Sequence, residues 1–127
     1  MTKKGYLLVA ILVFTFISGC SKESKLPELI EVKVELPSVI MINKEVELQA
    51  NVTQGKEQVS DADKVEFEIW REGQADEEHK KIEAEINKDG NYYIKETFKE
   101  TGKYFVIAHV TARDMHTMPK VEFEVAE

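Results

Sequence analysis

Apolar and polar residues alternate with period two along most of this chain, the mark of strands buried on one face. Ile30, Val32, Val34 and Leu36 are set against Glu31, Lys33 and Glu35. The pattern returns in Val46, Leu48, Ala50 and Val52; in Val65, Phe67 and Ile69; and in Ile82, Ala84 and Ile86. It continues in Tyr92, Ile94 and Phe98; in Tyr104, Val106, Ala108 and Val110; and in Val121, Phe123 and Val125. Seven strands are predicted. Between them stand Pro37, Gln54-Gly55-Lys56, Gly73, Asp89-Gly90-Asn91, Thr101-Gly102 and Met118-Pro119, turn signals at the spacing of an all-β sandwich. Asp89-Gly90 reads as the best hairpin turn, because both central positions of a two-residue hairpin turn want a positive φ. The polar stretch 72–81 is long enough for a helical turn and too short and charged to upset the strand pattern.

The first 19 residues do not alternate. Lys3 and Lys4 precede a run, residues 6–17, that is apolar apart from Thr15, which is the charged start and apolar middle of a secretory signal. About twelve apolar residues fall short of the roughly twenty that span a bilayer, so the segment is expected to be cut. Ile17-Ser18-Gly19-Cys20 resembles the lipobox read by lipoprotein signal peptidase, and Cys20, the only cysteine, would then carry lipid. The chain divides accordingly into a signal at 1–19, a lipidated cysteine and polar tether at 20–29, and one domain at 30–127. The expected location is the extracytoplasmic face of the cell membrane. Gly102-Lys103-Tyr104 is similar to the tyrosine corner of immunoglobulin-like sandwiches, with Val106 where antibody domains have a cysteine. The expected fold is therefore a seven-stranded, immunoglobulin-like antiparallel sandwich with an apolar core and no cross-link.

Charge narrows the function. Loss of Lys3 and Lys4 takes the formal charge from -7 to -9, which argues against binding nucleic acid or anionic head groups. With no thiol after Cys20, any metal must be held by His, Met or carboxylate. An enzyme is not expected: no serine stands near a histidine in a recognisable motif, and there is no Gly-rich phosphate loop. Asp61-Ala62-Asp63 lacks the glycine and closing glutamate of a calcium loop.

Two groups of residues carry candidate chemistry. On the sixth strand Phe105, Ile107 and His109 face opposite to Tyr104, Val106 and Ala108, and Trp70 has the outward parity on the third. If those strands neighbour each other, Trp70, Phe105 and Ile107 form an apolar outer patch, suited to docking a partner or else covered by a loop such as 72–81. The second group is His109, at the end of that strand, with Met115, His116 and Met118 in the loop expected to follow it. His116 and Met118 are two apart and point the same way in an extended stretch. Thioether with imidazole is a ligand set that selects Cu(I). The alternative is that the methionines pack a loop and His109 donates to a strand carbonyl. The third histidine, His79, has the outward parity of its strand.

Residues 102–120 (GKYFVIAHVTARDMHTMPK), with Asp89-Gly90-Asn91-Tyr92, His79 and the Trp70 strand before them, resemble the YtkA-like family, small extracytoplasmic β-sandwich domains found in lipoproteins. The resemblance implies copper handling connected with assembly of the respiratory oxidase. It also implies polar site positions at His79, His109, Met115, His116 and Met118, and a copper-handling or oxidase-assembly protein as partner. Asp114 stands where the family's pattern often has glycine. The competing expectation is a metal-free interaction module at the cell surface.

Overall fold

A computed structural model describes residues 28–127; the expected signal, Cys20 and the expected tether as far as residue 27 lie outside the described residues. Six of the seven predicted strands are present as single strands and the fourth as two, and three short additional ones bring the described total to eleven. In chain order they are β1 (Ile30–Glu35), β2 (Ile40–Met41), β3 (Glu45–Gln54), β4 (Glu57–Gln58), β5 (Lys64–Arg71), β6 (Lys80–Glu83), β7 (Glu85–Ile86), β8 (Tyr92–Thr97), β9 (Gly102–Ala112), β10 (Met115–Thr117) and β11 (Lys120–Ala126). One sheet runs β1-β3-β8-β7, with β4 on β3; the other runs β2-β11-β9-β5-β6, with β10 on β9. The pairings are antiparallel except for β2 on β11, which is parallel.

The two sheets enclose one core. Leu48, Ala50 and Val52 from β3, Phe67 from β5 and Val106, Ala108 and Val110 from β9 have no exposed surface, each larger side chain contributing about 1.5–3 kcal/mol by its burial. Tyr104 closes one end as a tyrosine corner: its hydroxyl donates to the Glu100 carbonyl at 2.8 Å, while its ring meets Phe98 edge-on at 4.9 Å.

Three local expectations need correction. The predicted fourth strand is not one strand: it pairs with β5 as β6, breaks at Ala84, and crosses to the other sheet to pair with β8 as β7. A period-two pattern is blind to this: Ile86 continues the alternation in sequence, yet it is 47% exposed, while Ile82 and Ala84 pack on the core. The Asp89-Gly90 turn is longer than two residues. Only Gly90 has a positive φ there, 81°, and Asn87 Oδ1 accepts from the amides of Asp89 and Asn91 at 2.9 and 3.0 Å. Finally, residues 115–117 are not loop but a strand on β9, joined to it by Arg113-Asp114 at φ 50° and 62°. Positive φ at both positions is what a tight hairpin turn requires, and Arg113 ties the turn down by donating to Gln54 Oε1 and Glu57 Oε1, both at 2.7 Å.

Candidate functional site

β5 and β9 lie side by side in the middle of their sheet, so their outward residues form a shared surface. Trp70 stands opposite Phe105, Glu68 opposite Ile107 and Glu66 opposite His109. On the other flank of β9, His116 is opposite Thr111 and Lys120 opposite Ile107. β10 and β11 keep one register along β9, from Thr117 opposite Val110 to Lys120 opposite Ile107, which puts Met118 at the position opposite His109. Facing side chains on adjacent strands have Cβ atoms about 5 Å apart. Met118 is 51% exposed.

A half-buried carboxylate organises the centre of this surface. Glu68 Oε1 lies 2.8 Å from His109 Nε2, and Glu68 Oε2 lies 2.6 Å from His79 Nδ1. An ionised carboxylate only accepts, so each ring donates. The His79 N–H is the largest influence holding the Glu68 carboxyl below the usual carboxylate range; burial opposes it, and the His109 N–H adds to the lowering. His79 lies flat on Trp70, ring centres 4.2 Å apart and planes 5° from parallel. Trp70 stacks in turn on Phe105 at 5.3 Å. The Lys120 ammonium sits over both rings, 4.5 Å from the centre of Phe105 and 5.2 Å from that of Trp70, a favourable placement of a cation on aromatic faces. The predicted apolar patch is thus continuous, but half-buried and capped by the chain's own histidine and lysine.

On the other side of His109, the His116 ring has its centre 6.1 Å away, tilted by 31°. His116 Nδ1 shares a hydrogen bond of 2.9 Å with Thr111 Oγ1. His109 and His116 therefore come together at one corner of the sheet, with the Met118 position across from His109. His79 does not join them; it is linked only through Glu68, its Nε2 is 3.8 Å from Asp76 Oδ1, and its side chain is 6% exposed. Met115 is removed from the set. It stands opposite the buried Ala112 and packs on the core, because successive residues of β10 point to opposite faces. Met115 and His116 do border a cavity of about 240 Å³ that they share with Leu29, Ile30 and Thr117.

Among the described residues, no three His, Cys, Asp or Glu side chains are disposed to hold an ion. The donors that fit a soft ion are the mixed set of His109, His116 and Met118. Glu68 and Thr111 escaped sequence reasoning. Glu68 reads as one more charged outward residue beside Glu66, and its only signal is its place between Trp70 and the partner strand of His109.

The model of the YtkA-like family matches residues 25–109. The chain belongs to the YtkA-like family. The match ends at His109, so Met115, His116 and Met118 of this YtkA-like chain lie beyond it, and their grouping rests on strand register. The fold is similar to the solution structure of the PKD domain from human VPS10 domain-containing receptor SorCS2, at 14% identity and a TM-score of 0.43, over 79% of this chain and 74% of that one. A likeness of that size says nothing about function. No curated protein matches the YtkA-like chain.

Proposed function

We propose that this YtkA-like domain is a lipid-anchored, extracytoplasmic copper-binding protein that holds Cu(I) as cargo and passes it to another copper-handling protein, a chaperone role in respiratory oxidase assembly. The observation that carries this reading is the convergence of His109, His116 and Met118 at the corner of β9 with the β10–β11 arm. Imidazole and thioether together suit Cu(I). With metal–nitrogen bonds of about 2 Å, two imidazoles sharing an ion bring their ring centres to about 6 Å, and those of His109 and His116 are 6.1 Å apart. Donors at an exposed corner suit a protein that must release its cargo to a partner. No catalytic role is proposed for any residue. The second reading is a metal-free interaction module acting through Trp70, Phe105 and Ile107; the capping of that surface by His79 and Lys120 makes it the weaker of the two.

The test is competition for Cu(I) against a colorimetric chelator, with the full chain in a Cys20→Ser background so that a free thiol takes no metal. About one Cu(I) per chain is expected from this ligand set. His116→Ala combined with Met118→Leu should weaken binding at least tenfold, since loss of even an outer-shell partner costs about 10–100-fold. Equal affinity in parent and double variant would remove the chaperone reading and favour the module.

A further inference from the structure

We infer that Glu68 is the positioning residue of this site: by accepting from His79 and His109 at once, it fixes the His109 proton on Nε2 and reserves Nδ1 as the lone-pair nitrogen for an ion, a role that rests on the copper reading above. Each oxygen of the carboxylate serves a different ring, Oε1 at 2.8 Å from His109 Nε2 and Oε2 at 2.6 Å from His79 Nδ1. Held at two points, the carboxylate cannot swing. Its side chain is only 15% exposed, so little water competes for either oxygen.

The far side of the bracket is rigid as well. His79 is clamped between Glu68 and the Trp70 ring, 4.2 Å away, and Trp70 is packed on Phe105. A chain of fixed contacts therefore runs from the aromatic stack through His79 and Glu68 to His109. Its end is a ring with one nitrogen committed; among the described residues, no hydrogen bond engages the other. Histidines that bind metals commonly donate their second N–H to a carboxylate, which sets tautomer and orientation and makes the ligand more basic. Glu68 meets that description on the β5 side of His109, while His116 and the Met118 position lie on the opposite flank. His79 is accordingly a support for the carboxylate and not a ligand.

A carboxamide at this position has one accepting and one donating end, so it cannot accept from both rings. Imidazole nitrogen NMR of the metal-free full chain, Cys20→Ser, at alkaline pH should show His109 protonated at Nε2 with a lone pair at Nδ1. Glu68→Gln should shift His109 toward the other tautomer and lower Cu(I) affinity about 10–100-fold. His79→Phe keeps a ring on Trp70 and should cost only a few-fold by comparison with that range. A parent His109 protonated at Nδ1 overturns the inference without any variant, which covers the case of a Glu68→Gln chain that does not fold. A Glu68→Gln chain matching the parent in tautomer and in Cu(I) affinity overturns it too, while leaving the copper reading intact if both bind. A parent that takes up no Cu(I) removes the copper reading and with it the role of Glu68 toward an ion, whatever the tautomer.

Discussion

The outer faces of the two sheets are built on the same alternation and have little else in common. On the β1-β3-β8-β7 sheet, the outward residues of β3 are Glu47, Gln49, Asn51 and Thr53, with Glu47 opposite Lys95 and Gln49 opposite Tyr93 on β8. These are residues that water solvates, and their contacts are small polar ones, such as Gln49 donating to Glu47 at 2.6 Å and Asn51 donating to Asn91 at 2.5 Å. On the other sheet the same positions hold Trp70, Phe105, Ile107, Glu68 and His109, and the contacts are relayed from strand to strand. A plain face needs only solubility. A face that keeps a carboxylate, two imidazoles and two aromatic rings in mutual contact is under a second constraint, and binding is the constraint proposed.

The largest expected contrast lies between Glu68→Ala and Gln49→Ala. Removing Glu68 strands two ring N–H groups and should cost about 2–3 kcal/mol, whereas Gln49→Ala should stay within about 0.5 kcal/mol. Urea unfolding of both variants measures the gap, and equal costs would break the comparison. The gap also depends on pH. The folded Glu68 carboxyl is held below its unfolded value, so its contribution is complete above about pH 4.3 and is lost as pH falls through the folded value. Parent and Glu68→Ala should therefore differ by a constant amount at neutral pH and converge in acid.

A smaller effect is expected at Lys120, whose ammonium covers Phe105 and Trp70. Lys120→Ala should cost about 0.5–1 kcal/mol, the worth of a cation on an exposed aromatic face, and should raise the quantum yield or shift the emission of Trp70, the only tryptophan. If that uncapped surface then associates or captures a partner while Cu(I) affinity stays unchanged, the module reading gains. The smallest effect belongs to Asp114, at φ 62°. Glycine adopts that conformation without strain, so Asp114→Gly should raise stability by about 0.5–1 kcal/mol, read as a higher melting temperature with the Cu(I) affinity unaltered.

The strands were legible because each buries one face, and β5 beside β9 followed from an immunoglobulin-like order, as did the Tyr104 corner. What escaped was information that period two does not contain. Ala84 marks a change of sheet, and the alternation runs on through Ile86 in sequence although that residue is exposed in the fold. Arg113-Asp114 forms the tight hairpin turn without glycine or asparagine, and Asp89-Gly90, the stronger signal, forms a longer one; the Arg113 contacts to Gln54 and Glu57 that hold the first are far apart in sequence. Once β10 is a strand, Met115 must face inward, a consequence hidden while 115–118 read as loop. Glu68 was invisible for a related reason: an outward glutamate is unremarkable until the rings on either side of it are known.

The placement of Leu29 and Ile30 at the cavity beside His116 means that the chain enters the domain next to the proposed donors. Under the lipid-anchor reading, residues 20–28 are a leash of at most about 30 Å, and the cargo rides at its near end. The donor atoms then sweep a shallow zone over the bilayer and do not range through the surrounding fluid. A receiver embedded in the same membrane, with its docking site inside that zone, would meet the cargo by a search in two dimensions at a matched height. A freely diffusing receiver would gain nothing from the leash. Under that reading, the point of entry of one strand selects between classes of recipient before any contact between the two proteins is made.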